Sequence, residues 1–240
     1  MHIGVAEALV VGGAVLIGSI VQGSIGVGLN IVAAPFVALT VPEALPATLV
    51  LVAIPLAITT LLREHHAVDR LALPWMLIGA VPGTVLGLVI LEAADVTTLT
   101  VIVASTVLAG VLLSVLAPPV PITRGTALGA GFISNVFGTA TSVGGPPLAL
   151  LFQHRPGPTA RATLGAAFAW SASLSIIGYI AFGQITGDQV LFALGLLPVM
   201  VAGLWTSRHF HVHVDGGWLR PAVLTLSAVA GLAALVRALT

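Results

Sequence analysis

Residues 20–36 read IVQGSIGVGLNIVAAPF. The flanks of this stretch are as apolar as lipid, yet Gln22, Ser24 and Asn30 sit inside it beside Gly23, Gly26 and Gly28. Glycine weakens a helix interior, and amide and hydroxyl groups resist leaving water. Grouped together in one apolar run, they predict a helix that stops and restarts at depth.

Composition sets the solvent. Only 7% of the 240 residues are charged and 58% are hydrophobic, with a mean hydropathy of +1.15. A soluble domain carries about 25% charged residues, so this chain cannot cover a water-facing surface and belongs in a lipid bilayer. Eight basic residues, all arginine, balance eight acids, and a neutral chain of this kind excludes nucleic acid as a partner. There is no cysteine, hence no disulfide and no thiolate metal site. The N-terminus MHIGVAEALVVGGAVLIGS lacks a basic n-region and is expected to remain in the mature fold.

Only helices and closed barrels satisfy every backbone group inside lipid. The apolar runs are continuous rather than alternating, which predicts an all-α, polytopic protein. Ten segments are expected, at 5–21, 29–41, 45–62, 71–91, 98–116, 125–138, 145–153, 160–182, 189–206 and 219–238. A crossing takes about 20 residues, so 29–41 and 145–153 are too short to span and read as short or re-entrant.

These short segments occupy matching places in two halves, 1–118 and 119–240. Gly23 recurs as Gly138, and Ala47-Thr48-Leu49 as Ala162-Thr163-Leu164, each 115 residues on. Pro82 with Gly87-Leu88 recurs 116 residues on as Pro198 with Gly203-Leu204, and Ala109-Gly110 recurs as Ala230-Gly231 at 121. Ordered matches with a drifting offset predict a duplication of five segments. An odd number turns the second copy upside down. Arginine supports this, since it collects in cytoplasmic loops: loop 63–70 has two while its counterpart 183–188 has none. Alternate counting puts seven of eight arginines on one side, leaving Arg237 and both termini outside.

Paired, Gly- and Pro-interrupted short segments in inverted repeats point to the binding site of a secondary transporter. The second motif is ISNVFGTATSVGGPPLALLF, 133–152, where Asn135, Gly138, Thr139, Thr141 and Ser142 precede Gly144-Gly145 and Pro146. A helix starting at such a break offers unpaired N–H groups and about half a positive charge to an anion. The candidate binding residues are therefore Gln22, Gly23, Ser24, Gly26, Gly28 and Asn30 in the first motif. In the second they are Asn135, Gly138, Thr139, Thr141, Ser142, Gly144, Gly145 and Pro146. Tight helix packing is the competing explanation for the same small residues. Arg161, Trp170, Ser171 and Ser175 are candidates for gating or for lining the pathway, against interfacial anchoring, core packing and interhelical hydrogen bonding.

The stretches GSIVQGSIGVGLNIVAAPFVAL, 18–39, and GFISNVFGTATSVGGPPLALLF, 131–152, resemble the TauE/SafE family of sulfite exporters and organic-anion permeases. Each is followed by an Ala-Thr-Leu helix start, with Arg161 before the second where that family often carries a basic residue. The first repeat departs from this with Pro46, and VGLN replaces a longer glycine run. The resemblance implies movement of sulfite, sulfonates or thiosulfate.

All eight acids fall in loops or at segment ends, so no side-chain proton relay is expected. His209, His211 and His213 alternate in RHFHVHVD, 208–215, but without cysteine or a second cluster they predict no metal site. Glu64-His65-His66 is not a zinc-protease motif. No cofactor is expected. The expected function is a secondary transporter of a small anion by alternating access, with a channel on the same helix ends as the alternative. An intramembrane enzyme or assembly factor is the alternative from another class.

Overall fold

The computed structural model describes residues 3–118, 120–210 and 219–239. His211 and His213 of the histidine loop lie outside the described residues. Ten α-helices follow in chain order: α1 Val5–Ile25, α2 Leu29–Thr40, α3 Ala47–Glu64, α4 Leu73–Ala93 and α5 Val96–Leu116 in the first half. The second half supplies α6 Arg124–Thr141, α7 Gly145–Phe152, α8 Gly157–Ala181, α9 Gly187–Phe210 and α10 Leu219–Leu239. The chain is an all-α, multi-pass membrane protein, with six helices among the described residues long and apolar enough to cross a bilayer.

All ten expected segments are present, but the helices before the breaks run further than expected. The first ends at Ile25 rather than 21, and the sixth at Thr141 rather than 138. Gln22, Gly23 and Ser24, and likewise Thr139 and Thr141, are therefore helical and precede the breaks. Apolarity fades before the helix does, because a polar residue keeps its backbone hydrogen bonds while its side chain finds other partners. Ser24 and Thr141 show how: each donates its hydroxyl to the carbonyl four residues back, Ile20 and Phe137, at 2.7 Å.

Both long helices stop the same way. α1 ends at Gly26 with φ +91°, and α6 at Ser142 with φ +65°. A left-handed residue turns the chain off the helix and is usually glycine. Two residues later come the next N-caps, Gly28 and Gly144. The chain then doubles back. Leu29 returns beside Gly18, and α2 packs its buried Leu29, Ala33 and Val37 with Val11 and Val15 of α1. Likewise Gly144 lies against Ser134 and Gly138, while Phe152 clusters with Ala127 near the start of α6. Both short helices are thus re-entrant arms of hairpins.

The remaining helices enclose these hairpins. Gly79, Gly83 and Gly87 let α4 lie directly on the backbone of α6 at Leu128, Phe132 and Val136. The registers rise together, so the two helices are parallel. α9 lies on α1 in the same sense, with Gly203 against Leu16 and Ser19 and Gly23 against Ser207. By contrast α3 and α8 are antiparallel: Gly165 meets Ala57 and Leu61, while Arg161 reaches Glu64. α5 and α10 also run antiparallel, with Gly231 on Val107 and Leu108, and Val111–Val115 opposite Leu224–Val229. Exchanging each helix for the one five places on turns the α4–α6 contact into α9–α1, and α3–α9 into α8–α4.

The two ends of the bundle differ in charge. Arg63, Arg70, Arg124, Arg155, Arg161 and Arg208 gather at the end where α3 finishes and α8 begins. Glu7, Glu43, Glu92, Asp95 and Asp188 gather at the other.

Candidate functional site

The two hairpin tips touch. Asn30 Nδ2 donates to the Ser142 carbonyl at 2.7 Å, and Gly145 has room for no side chain because Val27 and Ile31 lie against it. Since α2 and α7 run in opposite directions, their N-termini face one another. Between them is a cavity of about 60 Å³, where one water needs roughly 10–15 Å³. That volume admits a small ligand.

Polar groups converge on this space from both halves. Gln22, 6% exposed, accepts the Leu29 amide on Oε1 at 3.0 Å, which fixes its orientation and leaves its NH₂ as a donor. No partner is found among the described residues for the amides of Asn30, Ile31, Gly144 and Gly145. The Ser142 hydroxyl and Asn30 Oδ1 are likewise buried without a partner among the described residues. α7 has fewer donors than a helix start normally offers, since Pro146 and Pro147 have no N–H. Its contribution is the dipole and the two glycine amides.

Ten of the eighteen expected residues line the cavity: Gln22, Gly28, Asn30, Asn135, Gly138, Ser142, Gly144, Gly145, Ser171 and Ser175. Their states differ. Asn135 is occupied on both sides, donating to the Gly131 carbonyl at 2.9 Å and accepting from Thr84 at 3.3 Å. Ser175 pairs with Thr139 at 2.7 Å, and the Tyr179 hydroxyl donates to the Thr139 carbonyl. The Asn135 and Thr139 side chains are thus bound internally, and the open groups are the Asn30 and Ile31 amides and Asn30 Oδ1 on the first motif, and the Ser142 hydroxyl and the Gly144 and Gly145 amides on the second.

The other eight lie outside the lining. Gly23 faces Ser207 and Leu204 of α9, Gly26 abuts the Arg161 backbone, and Pro146 packs on Gly110 of α5. Ser24, Thr139 and Thr141 have the hydrogen bonds already given. Trp170 is 42% exposed on the outer surface. Arg161 forks onto the Glu64 carboxylate, with Nε at 2.9 Å, and donates from Nη1 to the Ser24 carbonyl at 3.2 Å. One side chain so ties α8 to α3 and to the tip of α1.

Sequence patterns did not single out Ser134, Phe168 or Glu64. Ser134 lines the cavity and donates to the Gly144 carbonyl; its signal was there, one residue before Asn135. Phe168 on α8 shares its wall but looks like any apolar span residue.

The profile of the family described as sulfite exporter TauE/SafE matches residues 10–234. The chain belongs to the TauE/SafE family. No curated protein and no solved structure matches it. TauE/SafE membership makes it a member of a family of membrane anion exporters, and both hairpin tips and the cavity between them fall within the matched residues.

Proposed function

We propose that this TauE/SafE protein is a secondary transporter of a small, sulfur-containing anion such as sulfite, a sulfonate or thiosulfate. The supporting observation is the meeting of two re-entrant helix N-termini at a cavity with free amides and, among the described residues, no charged side chain. Each helix start supplies about half a positive charge without a counter-ion to displace. Residues 1–118 and 119–240 act as two inverted copies that rock about this site, alternately opening it to either face.

Arg161 and Glu64 form the gate on the arginine-rich side. Their pair joins the two halves beside the α1 tip, and breaking it frees that face. The arginine-rich end is cytoplasmic, which places both termini outside the cell membrane. The protein performs no chemistry on its cargo.

Purified protein in liposomes tests this reading. Saturable uptake of at least one of sulfite, methanesulfonate and thiosulfate, with counterflow, is the expected result. Unit conductance without counterflow makes it a channel, and no flux of any of them returns the enzyme or assembly-factor reading.

A further inference from the structure

Three features of the cavity bear on the charge state of its cargo. First, none of its seventeen lining residues titrates. The lining helices carry Glu7, Arg63, Glu64, Arg124, Arg161 and Tyr179, and all six lie outside the lining. Second, the two helix starts together supply about one positive charge. The penalty for burying an ion grows with the square of its charge, so a dianion costs far more and is only half neutralised. Third, residues that line the cavity carry a buried, unpartnered acceptor as well as donors. Asn30 Nδ2 is committed to the Ser142 carbonyl, which fixes Oδ1 as the opposite, unpartnered atom of the amide. The Ser142 hydroxyl, in a residue 4% exposed, is also unpartnered.

A fully deprotonated oxyanion has only lone pairs. It satisfies the free amides and the Gln22 NH₂ but has no hydrogen to offer Asn30 Oδ1. A monoanion that still carries a proton satisfies both sets, accepting from the amides and donating to Asn30. We infer, on the transport reading above, that the site selects the proton-bearing monoanion of a small oxyanion and excludes the dianion. The proton then crosses on the cargo, so that no titrating side chain is required in the pathway.

Sulfite is a suitable probe because it passes from monoanion to dianion within the workable pH range. Labelled sulfite uptake into proteoliposomes is measured at a fixed total concentration well below half-saturation, with equal pH inside and out. Above the second ionisation of sulfite, uptake falls about tenfold per pH unit, following the monoanion. Methanesulfonate, a monoanion at every pH with no proton to donate, competes with the same potency throughout. It is weaker than hydrogen sulfite by about tenfold or more, because it leaves Asn30 Oδ1 unpaired. Uptake that is flat or rises as the dianion accumulates overturns the inference while leaving transport intact. So does methanesulfonate as potent as hydrogen sulfite, or a potency that drifts with pH. Absence of sulfite uptake at every pH removes the transport of sulfite on which the inference stands.

Discussion

Ser142 has a left-handed backbone, φ +65°, and a buried hydroxyl with no partner. An L-residue in that conformation costs about 1–2 kcal/mol, and an unsatisfied buried hydroxyl adds to it. Its counterpart Gly26 avoids both costs. Ser142→Gly is therefore expected to stabilise the protein by about 1 kcal/mol or more, read by thermal unfolding in detergent. It loses a donor from the cavity and weakens anion binding about tenfold. Ser142→Ala separates the effects, since it keeps the strain and loses only the hydroxyl. If either variant binds and transports as well as the parent, Ser142 is not a ligand. Glycines divide just as sharply. Gly28, at φ +147°, would place a Cβ 2.5 Å from Val21, so Gly28→Ala both strains and clashes and is expected to impair folding. At Gly138 the nearest atom to a Cβ is Gly144 Cα at 3.4 Å, and Gly138→Ala is expected to express and unfold like the parent. The motif alone made these glycines look alike; only backbone geometry separates a required φ from spare space.

The interrupted helices were legible as elements because lipid leaves few options. Two short apolar runs beside Gly, Ser and Asn clusters, at equivalent places in each half, specify helix starts inside the bundle. Where each preceding helix ended was harder to read, because Ser24 and Thr141 return their hydroxyls to their own helices and look polar only in sequence. Long-range partners were not legible either. Nothing near Arg161 in the chain announces Glu64, 97 residues away; their meeting follows from the antiparallel packing of α3 on α8. Both side chains are largely buried, 16% and 22% exposed, and the guanidinium binds the carboxylate through two nitrogens, a geometry lysine cannot reproduce. Arg161→Lys and Glu64→Gln are each expected to lower stability in detergent. A double-mutant cycle is expected to give a coupling of about 0.5–3 kcal/mol. Additive effects would mean that the pair does not hold α3 to α8, and the proposed gate would lose its latch.

Across the whole molecule the proposed inversion rests on direction of travel. Two copies in the same orientation would set α3 and α8 parallel, and α5 and α10 parallel. Both pairs run antiparallel, as the Gly165–Ala57 and Gly231–Val107 contacts require. The arginine distribution is an independent reading of the same arrangement, since it depends on loop composition and not on packing. Together they put the turn after α3 and the turn after α8 at opposite ends of the bundle. The chain contains no cysteine, so a single introduced thiol reports its own side without background. His66→Cys in the first turn and Gln184→Cys in the second are expected to react with a membrane-impermeant maleimide from opposite faces. In intact cells Gln184→Cys labels, while His66→Cys labels only after the membrane is opened. Labelling of both from one face would mean that the halves do not invert. The two helix N-termini would then lack the opposed approach on which alternating access depends.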